Sequence, residues 1–181
     1  AAAPHLLSHI QNPFQEDTML ISHIAQKMIR ESHGNLHDIN HFLKVYAYAR
    51  TIGVSEGLDP AAQTVLEAAA LLHDIACPLC REKYGNTDGA YQEKEGAPLA
   101  AAFLQDSGLA LEAIDRVVWL VGHHHSPSAG EEPALRILLA AHYLVNADES
   151  HYPRAAIESA REHLFRTASG RALLDAIYLQ P

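Results

Sequence analysis

From Pro60 to Ile75 the chain is built mostly of Ala, Leu and Val, with Gln63, Thr64 and Glu67 as the polar exceptions before it reaches His73-Asp74. Asp59 supplies an N-cap acid and Pro60 the first helical position. A helix so apolar on all sides has to be buried by other helices. It therefore predicts a bundle arranged around it, and it delivers an imidazole and a carboxylate to an apolar setting. Those two groups are costly there without a partner, and a metal ion is a natural one.

The rest of the chain supplies the surrounding helices. Met19, Leu20, Ile24, Met28 and Ile29 recur at helical spacing over about 16–33, and Gly34-Asn35 then gives a stop. A second helix is expected over 37–54, with Ile39, Phe42, Leu43, Tyr46, Ala49 and Ile52 on one face. Pro78 is expected to end the His73-Asp74 helix. The stretch from Cys77 to Tyr91, with Gly85, Asn86, Asp88 and Gly89, reads as a long loop. Further helices are expected over 97–105, 111–124, 133–149, 153–165 and 169–179. That makes about eight helices. No run alternates apolar and polar residues as a half-buried strand would, so the fold class is all-α. A chain of 181 residues suits a single domain spanning 1–181.

Composition narrows the partners. The formal charge of -9 would repel a polyanion, and Lys and Arg form no cluster, so a nucleic-acid polymer is not an expected partner. A small phosphorylated substrate stays compatible, because a metal and one or two local cations neutralise phosphate without a basic surface. No apolar run is long enough to cross a membrane, and the N-terminal Ala-Ala-Ala-Pro lacks the regions of a signal peptide. A cytoplasmic protein is expected, and a helical chain of this size is compatible with a homodimer. Cys77 and Cys80 form the one CxxC, which is read as small buried side chains, since no strand–helix redox context surrounds them.

Thirteen histidines are the compositional oddity, and imidazole is both a metal ligand and a base near neutral pH. Four expected helices each offer a ligand type: His41 opens one, His73-Asp74 closes another, His123-His124-His125 closes a third, and Asp148 ends a fourth. Imidazole and carboxylate together suit iron, manganese, nickel, zinc or magnesium. A second His-Asp pair, His37-Asp38, is read as solvated helix-start residues. His5, His9, His23, His33 and His163 have no motif around them, and His142 ranks below the four-helix set.

His41 followed by Val45, then Ala70-Leu71-Leu72-His73-Asp74-Ile75, then Gly122-His123-His124-His125, then Ala147-Asp148 resembles the HD superfamily of metal-dependent phosphohydrolases, over roughly 34–151. The resemblance implies a compact helical HD-type bundle with flanking N- and C-terminal helices. It implies that His41, His73, Asp74 and Asp148 hold one divalent metal, which orients phosphate and activates water. Asp74, His123 and His124 are the implied catalytic residues, because relatives place a histidine pair at this point. Two-metal relatives carry a further histidine before a Gly-Ala, where this chain has Tyr91-Gln92-Glu93-Lys94-Glu95-Gly96-Ala97, so one metal is expected. Near the HD pair, Lys83 and then Arg81 are the cations expected to bind phosphate. Glu95, or Glu93, is an acid expected to support substrate or metal. The implied activity is hydrolysis of a nucleotide or phosphomonoester. The alternatives are a metal-binding regulatory module without turnover and a di-iron HD-type oxygenase.

Overall fold

The computed structural model describes residues 13–180, with side chains described from residue 16. The N-terminal Ala-Ala-Ala-Pro and the unassigned His5 and His9 lie outside the described residues. Among those described there are nine α-helices, one short 3₁₀ turn and no strand: α1 (Pro13–Glu31), α2 (Leu36–Ser55), α3 (Pro60–Leu72), α4 (Cys77–Tyr84), α5 (Gly89–Leu104), α6 (Leu111–Val121), α7 (Pro133–Glu149), α8 (Arg154–His163) and α9 (Ala168–Tyr178). No described helix is long and apolar enough to cross a membrane.

α3 is the buried axis that its composition predicts. Every residue from Thr64 to Leu72 is buried, and α1, α2, α6 and α7 all pack against it. Asp59 caps it by accepting from the backbone N–H of Ala62 at 3.0 Å, leaving one fewer orphan donor at its start. α7 is the second buried helix, inaccessible at almost every position from Ala134 to Ala147. It lies along α2 and α3, while α5 pairs with α6 and α8 with α9. The core thus runs between α2, α3 and α7 and continues under α6.

Two boundaries differ from the sequence-based expectation. The stretch expected to be a loop from Cys77 contains α4, and Pro78, expected to break a helix, occupies the first turn of this one. Proline is well suited there, because its missing N–H is an orphan at that position anyway. Gly85 closes α4 in the left-handed conformation, with φ 72° and its N–H donated to Arg81 O. α5 starts at Gly89 rather than near Ala97 and carries Pro98 in its interior. The lost backbone hydrogen bond at Pro98 is offset by burial of Gln92, Gly96, Ala100, Phe103 and Leu104 along the helix.

Candidate metal centre

Five imidazoles and one carboxylate converge where α2, α3, α6 and α7 meet. His41 comes from the second turn of α2, His73 caps the end of α3, and Asp74 follows it. His124 and His125 lie in the turn after α6, and His142 sits in the middle of α7. One ligand atom from each of His41, His73, Asp74 and His142 can be chosen so that all four lie within 4.8 Å of one another; His124, His125 and His142 form a second such group. His41, His73, His124 and His142 are 5%, 0%, 1% and 6% exposed, so this centre is almost dry.

The hydrogen bonds made by the outer ring nitrogens decide what the inner ones can do. His73 Nδ1 donates to Ala70 O at 2.8 Å, and His124 Nδ1 donates to Val121 O at 2.7 Å. A carbonyl oxygen only accepts, so in the neutral ring each Nε2 is a bare lone pair. His41 Nδ1 lies 2.7 Å from Glu149 Oε2, which fixes the same tautomer. Nevertheless His41 Nε2 and His73 Nε2 stand 3.1 Å apart, and His124 Nε2 stands 3.1 Å from Asp74 Oδ1. His41 Nε2 is 3.4 Å and His73 Nε2 3.5 Å from the same carboxylate. Acceptors facing acceptors repel unless positive charge sits among them. An extra proton is one source, but burial pushes the His73 imidazole down to about 3 and the His142 imidazole well below its ordinary value. Burial opposes ionisation of Asp74 too, but the imidazoles of His73, His124 and His142 outweigh it and hold the carboxyl well below the usual carboxylate range. Imidazole nitrogens and an ionised carboxylate aimed at one point, with the far nitrogens of His41, His73 and His124 tied to a carboxylate or to backbone carbonyls, are the donor set of a divalent-metal site. The residues fit such an ion.

Around this centre opens a cleft of about 340 Å³, walled by His37, Asp38, Arg81, Gln92, Asn146 and Tyr152 among others. His125 lies on its wall, and burial pushes its ring down to about 4. Its Nε2 is buried without a hydrogen-bond partner. Glu93 holds the turn in place, accepting from His125 N at 2.9 Å and from Ser126 Oγ at 3.0 Å. Gly89 leaves room for it, since a Cβ there would stand 2.7 Å from the His125 ring. Cys77 and Cys80 are buried free thiols. Burial pushes both thiols up, and Cys77 Sγ donates to Gln92 Oε1.

Of the residues singled out in the sequence, His41, His73, Asp74 and His124 are brought together here. Asp148 is not: it is exposed on the outer side of α7. At 3.6 residues per turn His142, Asn146 and Glu149 fall within about 60° of one another, whereas Asp148 points about 100° or more from each. His142 takes the position in the group that was expected of Asp148. His123 also turns away, stacking on Trp119 at 4.4 Å between centroids and donating to Trp119 O, so that His125 is the second histidine of the triplet at the centre. Lys83 and Glu95 pair with each other at 2.8 Å and do not line the cleft. Arg81 does line it, but its Nη2 is held 2.5 Å from Asp38 Oδ2. Asp38 is accordingly buried, at 7% exposure, not solvated as its place at a helix start suggested. Asn146 and Glu149 were missed and His142 was ranked too low, although their i, i+4, i+7 spacing along the mostly apolar α7 was a readable signal.

The chain matches the HD domain family over residues 38–168. Its fold is similar to the crystal structure of a predicted HD superfamily hydrolase from an uncultured Thermotogales bacterium, with a TM-score of 0.61 and 23% identity, covering 90% of this chain and 84% of that one. No curated protein matches the sequence. The family match spans most of the chain, across the helices that carry His41, His73, Asp74, His124, His125 and His142, and on that ground the chain belongs to the HD domain family.

Proposed function

We propose that this protein is a metal-dependent phosphohydrolase acting on a small phosphorylated compound such as a nucleotide or phosphomonoester. What carries the reading is the convergence of bare imidazole nitrogens and the Asp74 carboxylate at the base of an open polar cleft. In this reading His41, His73, Asp74 and His142 hold the ion. A divalent ion bound there supplies Lewis-acid polarisation of a phosphoryl oxygen and a more acidic bound water. The chain's own groups do the rest. Asp74, ionised and reached by His124, accepts a hydrogen bond from the attacking water. His125 is a neutral ring on the cleft wall, the group placed to exchange a proton with substrate. Arg81 places a cation on the cleft wall, and Asp38 keeps its guanidinium from swinging away. Lys83 and Glu95 serve instead to brace α4 against α5.

A second reading is a two-metal oxygenase, favoured by one observation: His124, His125 and His142 form a second, three-imidazole group that shares His142 with the first. One experiment divides the two. Purified protein is analysed for metal, and for phosphate release from nucleotides and phosphomonoesters with Mn²⁺, Ni²⁺ or Fe²⁺ added. About one equivalent with phosphate release, both lost in a His73→Ala/Asp74→Ala variant that stays folded, is the outcome expected of the hydrolase. Two equivalents of iron with no phosphate release favour the second reading, and absence of metal under every loading condition sinks both.

A further inference from the structure

The geometry points to Glu149 as the positioning residue that fixes the His41 tautomer, and so aims the His41 Nε2 lone pair into the metal centre. The inference rests on the metal reading above and assigns a role that neither the family match nor the expected ligand set contains.

Glu149 is not itself placed to be a ligand, since both of its oxygens are occupied. Oε2 accepts from His41 Nδ1 at 2.7 Å, and Oε1 accepts from Lys44 Nζ at 2.8 Å. Lys44 stands three residues beyond His41 on α2, so the carboxylate of the last residue of α7 is clamped between two side chains of α2. Its side chain is only 18% exposed, which keeps water from competing for the same nitrogen.

The other imidazoles show why this contact matters. His73 and His124 are fixed by the backbone carbonyls three residues before them, and His142 pairs with Asn146 one turn further along α7. Each of those partners is local, neutral and set by the helix that bears the ring. His41 lies inside α2, where the nearby carbonyls are already used by the helix, and its Nδ1 partner comes from 108 residues away. Of the four, only His41 is fixed by a charged group. An ionic acceptor on Nδ1 does two things: it excludes the tautomer that would put a proton on Nε2, and it makes Nε2 a stronger donor to a cation. Removing such a partner from a metal-bound imidazole weakens metal binding by about 10- to 100-fold.

The test uses the full chain with Glu149→Leu, which removes the acceptor, and Glu149→Gln, which keeps an acceptor oxygen without the charge. Two quantities are measured: the protonated nitrogen of His41 by ¹⁵N NMR of metal-free protein, and affinity for Mn²⁺ by titration. Expected are an Nδ1–H ring in the wild type and in Glu149→Gln, and mixed tautomers in Glu149→Leu. Mn²⁺ affinity should fall about 10- to 100-fold in Glu149→Leu and by less in Glu149→Gln. A purely structural role for Glu149 would leave the tautomer unmoved. Nε2–H in the wild type, or equal Mn²⁺ affinity in wild type and Glu149→Leu, overturns the assignment. If the wild type takes up no Mn²⁺, the metal reading fails on its own, and the NMR comparison alone decides the role of Glu149.

Discussion

At the scale of single residues, the centre is decided by which way neighbouring side chains point. Asp148 and Glu149 are adjacent acids at the end of α7, yet one is exposed and the other bonds His41. Of the three consecutive histidines after α6, His123 stacks on Trp119, while His124 and His125 face the centre. The chain advertises such residues by type, but selecting among adjacent ones needs the rotation of the helix, which a ligand-like dipeptide does not reveal. This yields a direct comparison. His142→Ala should abolish or severely reduce metal uptake, because it removes an imidazole shared by both ligand groups. Asp148→Ala should leave uptake within experimental error of wild type, since it deletes only an exposed carboxylate. Elemental analysis of the two variants, with circular dichroism to confirm folding, decides it. Loss of metal in Asp148→Ala would restore that residue to the ligand set and mean that α7 is rotated from the orientation described.

At the scale of elements, the legible parts were those where burial and periodicity agree. α3 and α7 were readable because their apolar character leaves them only one environment, and capping by Asp59 marks where α3 begins. α4 was not readable, because Gly85, Asn86, Asp88 and Gly89 crowd the stretch with turn-forming residues and its eight residues bury little more than Cys77 and Cys80. Helices that short carry a weak periodic signal, and their stability comes from packing and caps. The cap makes α4 testable. Gly85 sits at φ 72°, and a Cβ built on it meets nothing within 4 Å, so replacement by alanine adds backbone strain without a clash. Gly85→Ala should lower stability by about 1 kcal/mol in urea unfolding of the metal-free protein, with metal content unchanged. An unchanged unfolding midpoint would mean that α4 does not end in the left-handed turn.

At the scale of the whole molecule, the dry histidine centre ties folding to both pH and metal. In the unfolded chain His73 and His125 titrate near their ordinary value of 6.5, but burial lowers them to about 3 and about 4 in the fold, and His142 moves the same way. The sign follows from proton uptake. Between those folded values and 6.5 the unfolded state binds protons that the native state does not, so stability rises with pH across that window and levels off above it. The metal-free protein should therefore be most stable from about pH 7 upward and lose stability steadily on acidification from pH 6.5 toward 4. A bound ion adds RT ln(1 + [L]/Kd) of stability, about 2.7 kcal/mol at a hundredfold excess over Kd, because a preformed ligand set exists only in the fold. That increment depends on the native ligands and not on the unfolded chain. With His73 at about 3, and His142 and Asp74 both held well below their ordinary values, these ligands take up no proton in the fold between pH 8 and about 5. The increment should therefore stay nearly constant there while the metal-free stability falls. Thermal unfolding between pH 4 and 8, with and without Mn²⁺, measures both slopes. A flat metal-free curve across pH 4–6.5 would show that these imidazoles are solvated in the native state. A Mn²⁺ increment that falls steeply between pH 6.5 and 5 would show that the ion is held by groups that take up protons in the fold, and not by these buried ligands.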